Sequence, residues 1–405
     1  MPAEDPSPFP FPGSTFRGPD PRFAQLRAQR PVARVAVAGG GSAWLVTRYE
    51  DIRSVAADHR FSRAAVYAPG APQFGGLFQA PPGMIVSLDP PDHTRLRRLA
   101  EQAFDAARVR SIGPRVTELV DGLLDELVAK GASDTAPADL LDGFATPLAL
   151  TVICELLGVP QTDRDRFHAW VRQFAAVGGP EEEAIAAREQ LGGYIAGLVA
   201  DKREHPADDV LSALIAARIG DDRLDEQELV VFGYTLLGAG FDSTASQLAL
   251  SVLTLITDHP DTWRALGQDP SLVPTAMEEL LRAVNLFATD TSGLPRIATQ
   301  DVTVGGVTIP AGDAVFLAFA SANHDTEVFT DPDQLDFTRA DNPHLAFGAG
   351  IHHCMGAPLA RLEIAAALEG LARRLPGLRL AVPESDLRWR TGDVNTGLLA
   401  LPVVW

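Results

Sequence analysis

The residues most able to do chemistry lie in Pro343-His344-Leu345-Ala346-Phe347-Gly348-Ala349-Gly350-Ile351-His352-His353-Cys354-Met355-Gly356-Ala357-Pro358-Leu359-Ala360-Arg361. Two glycines allow a tight turn, and Cys354 then precedes an amphipathic helical pattern. A cysteine at a helix N-terminus meets unpaired N–H groups and the positive dipole end, which together stabilise a thiolate. The other cysteine, Cys154, lies in the apolar run Thr151-Val152-Ile153-Cys154-Glu155-Leu156-Leu157 and reads as a small core hydrophobe. Zinc would need about four ligands, yet His352 and His353 are adjacent and Cys154 lies in a distant apolar helix. A cysteine nucleophile with a histidine base suits the helix terminus. A dinucleotide loop would require glycine at His353 and is excluded. A thiolate bound to haem iron is the third reading.

A second chemical feature lies inside the apolar stretch 226–258. There Gly238-Ala239-Gly240-Phe241-Asp242-Ser243-Thr244 sets helix-weakening glycines beside polar residues that divert backbone hydrogen bonds. The helix is expected to open at this point, as helices often do at functional sites.

The cysteine segment resembles the signature of the cytochrome P450 family, the haem-thiolate monooxygenases, F-x-x-G-x-[H/R]-x-C-x-G. Phe347, Gly350, His352, Cys354 and Gly356 supply the matching positions. The family's E-x-x-R matches Glu279-Leu280-Leu281-Arg282, about 70 residues before the cysteine; the resemblance implies a buried ion-pair network with Arg339 that holds the cysteine loop. His93 and Arg97 match the family's H-x-x-x-R and lie four apart on one helix face. The resemblance makes them propionate donors, together with Arg296 and His352. It makes Cys354 the axial ligand of haem b (iron protoporphyrin IX). It places Asp242 and Ser243 as a proton relay followed by Thr244, with Ala239 in the wall over the haem. Serine at 243, where the family usually has threonine, is a departure. Phe241 fills a slot expected to face substrate.

These groups need elements to carry them. Helical patterns appear at 92–103, 107–130, 138–157, 162–176, 181–203, 226–258, 273–284 and 356–374. Hairpins are expected from Val32–Val37 with Ala43–Thr47 and from Val302–Ile309. Without βαβ alternation the fold class is mainly α with small β sheets, in the cytochrome P450 fold, with the long 226–258 helix at the centre over the haem. Residues 1–20 read as a proline-rich peripheral arm, and 21–405 as one haem-thiolate domain.

At 405 residues, 46% hydrophobic and 21% charged, the chain can bury a large core. A net charge of −19 disfavours nucleic acid and anionic membrane, and no apolar run reaches the length of a spanning helix. Two cysteines, and no basic, apolar leader at the N-terminus, fit a cytoplasmic monomer. The resemblance implies oxidation of a small hydrophobic molecule, a natural-product intermediate, with dioxygen and electrons from a ferredoxin and its reductase. Arg95, Arg98 and Arg361 would dock the ferredoxin. Substrate contacts are expected from 62–88, 162–200, Val284–Leu294 and the turn near Val394-Asn395-Thr396. Radical C–C or C–N coupling at the same haem, or non-catalytic haem binding, are the alternatives.

Overall fold

The computed structural model describes the chain apart from residues 1–6, 38–40, 73, 75–79, 105, 134, 164–165, 167–169, 171–180, 288–293 and 391–394. It is mainly helical with small sheets, as expected. Its contacts divide into two compact units, residues 1–95 with 278–354, and residues 96–277 with 355–405.

The first unit is built on a six-stranded sheet in the order Ser7–Phe9, Val32–Val37, Ser42–Val46, Ala314–Leu317, Arg296–Ala298, Phe61–Ser62. The predicted hairpin is present, with Val32 opposite Val46 and Ala36 opposite Ser42. Trp44–Val46 then pairs in parallel with Val315–Leu317. Side chains alternate across the pleat. Leu45 and Phe316 join Phe9, Phe11 and Phe23 in one cluster, while Val46, Val315 and Leu317 join Tyr49, Ile52 and Phe329 in another.

The N-terminal arm is not peripheral. Ser7–Phe9 pairs in parallel with Val35–Val37, and Phe9, Phe11 and Phe16 are all buried. Proline is compatible with this outermost strand because an edge does not require every N–H. The second predicted hairpin, Val302–Val304 with Val307–Ile309, closes through Gly305 and Gly306, both at positive φ, as a two-residue turn of this hand requires.

The second unit is helical; two stretches differ from expectation, and a third opens where expected. The stretch 107–130 is broken at Ile112 into Ala106–Ser111 and Gly113–Lys130, because Pro114 fits only the first turn of a helix. In 138–157, Ala138–Asp139 is a strand against Pro402–Val403, and Leu141–Ala145 is a π turn. Only Thr146–Leu157 is α-helix. The Asp139 carboxylate accepts the amides of Leu141 and Leu401, each at 2.9 Å, and so competes with helix formation. The long apolar stretch is two helices, Glu226–Gly240 and Asp242–Asp258. From Thr244 to Ile256 the second is buried on every side, matching its all-round apolar pattern. Most of the expected helix 162–176 lies outside the described residues. Among those described, no helix is long and apolar enough to cross a membrane.

Candidate functional site

The cysteine loop begins with two glycines in the left-handed region, Gly348 at φ +73° and Gly350 at φ +69°. A Cβ on Gly350 would stand 2.1 Å from the Ala56 carbonyl oxygen, so only glycine lets the loop lie against the helix Tyr49–Ala57. After the turn Gly350–His352, the Cys354 N–H donates to the Phe347 carbonyl at 2.9 Å and closes the loop. Cys354 is exposed, whereas Cys154 is fully buried, as its apolar setting predicts. The following helix starts at Ala357 with Gly356 as its cap, one residue later than expected. The bond to Phe347 and the turn at Met355–Gly356 keep Cys354 just outside that helix.

The segment entering the loop is braced by buried charge. Glu279 and Arg282 have fully buried side chains. Arg282 donates from Nε and Nη2 to the Glu279 carboxylate at 2.8 and 2.7 Å, and from Nη1 to the carbonyls of Asn323 and Pro332 at 2.8 and 2.9 Å. Glu279 also accepts from the Asp336 amide at 2.9 Å, and from Arg339 Nε and Asn342 Nδ2 at 3.1 Å each. Burial alone would raise its pKa; Arg282, the Asp336 amide and Arg339 outweigh that and lower it. The network expected of Glu279, Arg282 and Arg339 is therefore present. Asn342 and Asp336 complete it, and polar residues in an irregular segment gave no periodic signal of that role. Asn323 Oδ1 accepts the Leu345 amide at 2.7 Å, and Tyr49 donates its hydroxyl to the Pro343 carbonyl at 2.6 Å.

The cationic candidates His93, Arg296 and His352 lie in the first unit. The His93 and His352 rings meet edge to face at 4.4 Å, with His93 buried. Arg296 is buried, and desolvation pushes its pKa down to about 10 against the pull of Asp89. Arg63, which the sequence reading passed over, is a further buried cation in this unit. Arg97 lies four residues after His93 on the helix Asp92–Ala103, and its Nε donates to Glu101 Oε1 at 2.7 Å.

In the second unit the helix break is at Phe241, whose side chain is buried. Ser243 Oγ donates to the Ala239 carbonyl at 2.7 Å and Thr244 Oγ1 to the Gly240 carbonyl at 2.9 Å. These hydroxyls serve carbonyls next to the interruption, as the sequence reading anticipated for this polar cluster. Asp242 accepts from Arg390 Nη1 at 2.7 Å and from Asn395 Nδ2 at 2.9 Å. Arg390 Nη2 also donates to Ser246 Oγ at 2.7 Å. Arg390 was not a predicted site residue. Its clearest signal is Gly397, where a Cβ would stand 2.0 Å from Arg390 Nη2. Of the expected substrate contacts, Phe74, Met84 and Val284 are buried, while Leu77, Phe78 and Val394 lie outside the described residues.

The residues fit haem b. Cys354 offers an exposed thiol on a loop that glycine geometry fixes, and the buried Arg296 and His93, with the half-buried His352 against His93, supply donors that suit a cofactor bearing two carboxylates.

Residues 181–376 match the profile of the family described as cytochrome P450. The chain is 47% identical over 390 residues to nocardicin C N-oxygenase of Nocardia uniformis subsp. tsuyamanensis, covering 95% of each chain. It is 44% identical over 409 residues to mycinamicin IV hydroxylase/epoxidase of Micromonospora griseorubida, covering 100% of each. Among solved structures it superposes on the LnmA cytochrome P450 hydroxylase of the leinamycin pathway of Streptomyces atroolivaceus. That match has a TM-score of 0.90 and 45% identity, over 98% of this chain and 100% of that one. With relatives this similar along its whole length, and the glycine-shaped cysteine loop in place, the chain belongs to the cytochrome P450 family of haem enzymes.

Proposed function

We propose that this enzyme is a monooxygenase acting on a small hydrophobic intermediate of natural-product biosynthesis, with electrons from a ferredoxin and its reductase. RH, dioxygen, two electrons and two protons give ROH and water. Cys354 would ligate the haem iron, on the loop that Phe347, Gly350 and Gly356 shape. His93, Arg97, Arg296 and His352 would bind the propionates, and Asp242, Ser243 and Thr244 would move protons beside Ala239. Haem, when bound, supplies dioxygen activation.

The observation that carries this reading is the set of polar groups at the helix break. Arg390 and Asn395 fix the Asp242 carboxylate by two strong hydrogen bonds. Two carboxylate oxygens offer about four acceptor positions, and Arg390 Nη2 takes a third at 3.4 Å, so one remains to take and pass a proton. Ser243 and Thr244 each donate to a carbonyl and retain acceptor lone pairs, so each hydroxyl can accept a proton and, on rotating away from its carbonyl, pass its own on. A proton can thus be handed on without moving the backbone. The apolar side chains of Phe74, Met84 and Val284 in the first unit suit a hydrophobic substrate. The printed names of the relatives, an N-oxygenase of nocardicin C and a hydroxylase/epoxidase of mycinamicin IV, support the natural-product class. The exposed Arg98, with Arg361, offers positive charge to an acidic ferredoxin against the net −19 of the chain.

The test is turnover of a natural-product panel with a surrogate ferredoxin and reductase under isotopically heavy dioxygen. Products carrying one heavy oxygen atom support the proposal. Dehydrogenated or coupled products without label would replace it by oxidative coupling. Absence of the red-shifted Soret band of the reduced, carbon monoxide-bound protein would remove the thiolate assignment itself.

A further inference from the structure

The proline-rich arm carries three aromatic residues, Phe9, Phe11 and Phe16, and all three are buried. The rings of Phe9 and Phe11 meet edge to face at 5.5 Å, and Phe11 meets Phe23 at 4.9 Å. The segment that follows is tied down. Asp20 accepts the Gly13 amide at 2.9 Å and the Arg22 guanidinium at 2.9 and 2.7 Å, and that guanidinium lies 4.3 Å from the centre of the Phe11 ring.

The arm reaches both segments of the first unit from which substrate contacts are expected. Phe9 meets Phe316 at 5.6 Å between ring centres, and Phe316 meets Phe74 edge to face at 5.4 Å. Phe74 belongs to the segment 62–88, and Val66 of that segment lies in the same apolar cluster as Phe9, Phe11 and Phe316. The Phe16 carbonyl accepts the Asn285 amide at 2.8 Å, at the head of the segment 284–294. Of the rings in contact, Phe316 is the fixed one. Its strand, Ala314–Leu317, is paired with Ser42–Val46 along one edge and with Arg296–Ala298 along the other, and its side chain is fully buried. Phe74 lies in neither helix nor strand, so its ring is placed by packing. When a buried ring is removed, its neighbours fill the space as far as they can move, and here Phe74 can move where the strand cannot.

We propose that the arm is a strap that positions the substrate pocket: Phe9, acting through Phe316, holds Phe74 in place and so sets the affinity for large apolar ligands. Phe9 is a positioning residue and touches neither cofactor nor substrate. The proposal rests on the reading of 62–88 as a substrate segment, which the variant Phe74→Ala checks separately.

The experiment titrates the ferric holoenzyme, by its Soret shift, with imidazole, which reports the iron alone, and with clotrimazole, an imidazole bearing bulky aromatic rings. The variants are Phe9→Ala, Phe9→Leu, Phe74→Ala and Phe144→Ala, the last removing a fully buried ring of the second unit as a control for lost stability. Phe74→Ala and Phe9→Ala are each expected to weaken clotrimazole about tenfold while imidazole stays within about twofold of wild type. Phe9→Leu keeps most of the volume without the ring pairing, so it lies between Phe9→Ala and wild type; it carries the test if Phe9→Ala fails to load haem. Hydrogen exchange of the amides of residues 64–72 should quicken in the Phe9 variants and not in Phe144→Ala, which lowers Tm but leaves the ratio of the two affinities at its wild-type value. A wild-type ratio in every Phe9 variant that loads haem, with clotrimazole weakened in Phe74→Ala, would overturn the proposal. So would an equal change of ratio in Phe144→Ala, which would reduce Phe9 to a general contribution to stability. A wild-type ratio in Phe74→Ala would remove the substrate role of the segment, and the strap with it.

Discussion

Replacing one member of the Glu279–Arg282 pair tests whether buried charge holds the cysteine segment in place. Both side chains are fully buried, so Glu279→Gln leaves Arg282 without its counter-charge and Arg282→Gln does the reverse. Breaking a pair of this kind costs about 3–5 kcal/mol. With an unfolding entropy of about 2.1 cal/mol/K per residue, the 405 residues give about 0.85 kcal/mol per degree, and hence a fall in Tm of about 4–6 °C. The consequence should extend to the haem ligand, because Glu279 also holds Asp336, Arg339 and Asn342 on the approach to Cys354. Each single variant is therefore expected to convert part of the reduced, carbon monoxide-bound band from its red-shifted position to that of a haem lacking the thiolate. The assay is thermal unfolding by circular dichroism with that spectrum, on both single variants and the double variant. The double variant removes both charges and is expected to cost no more than either single one, a coupling of about 3 kcal/mol or more. Additive single effects, or singles within about 1 kcal/mol of wild type, would refute the argument.

Gly350→Ala meets the Ala56 carbonyl and a positive φ together, and should cost about 2–4 kcal/mol and lower haem retention, read from the denaturant midpoint and haem per chain. A wild-type midpoint would show that the loop can move away from the helix Tyr49–Ala57. Asp242→Asn should lower product formation about a hundredfold with the carbon monoxide spectrum unchanged. Arg390→Ala, which leaves Asn395 holding the carboxylate, should act in the same direction but less, with more peroxide released per electron pair; equal coupling in wild type and variant would remove Arg390 from the relay. Burial lowers the pKa of His324 to about 4 against 6.5 in the unfolded chain, so the unfolded state binds the extra proton. Stability is then full above pH 6.5 and falls by about 3 kcal/mol towards pH 4, and His324→Asn should flatten that part of the stability curve. Glu363 has the opposite sign: burial raises its carboxyl well above 4.5, so its contribution is present below pH 4.5 and is lost as pH rises. Glu363→Gln should accordingly raise Tm at pH 7, and a lower Tm would contradict the burial argument.

The chemistry-bearing segments were legible because local backbone needs determine them. Gly348 and Gly350 are at positive φ where the signature requires a tight turn, and the polar run at 242–244 lies where the helix breaks. Helices with uninterrupted 3.6 periodicity were found with correct limits, as at Asp92–Ala103. Errors arose where one residue outweighed the periodicity around it. Pro114 split one helix, and Asp139 diverted the start of another into a strand and a π turn. In the arm, proline density masked an alternating apolar pattern, and Phe9, Phe11 and Phe16 brought residues 7–9 onto the sheet.

Partners distant in sequence were not legible, and this bears on the chemistry. Asp242 reads as a relay acid from its place after a helix break, but what holds it lies 148 positions away in a segment with no periodic pattern. Arg390 reaches it only because Gly397 leaves space for the guanidinium, and Asn395, five residues further on, supplies the second hydrogen bond. The serine at 243 fits this arrangement. Its hydroxyl is already bound to the Ala239 carbonyl, a contact threonine could also make, so the departure removes a methyl group and keeps the donor and acceptor. Any loss of coupling in this enzyme should therefore trace to the Arg390 and Asn395 anchorage of Asp242 more than to Ser243. Ser243→Thr should leave the yield of product per electron pair within about twofold of wild type, whereas Arg390→Ala should lower it further, in keeping with the greater weight of a charge-assisted hydrogen bond.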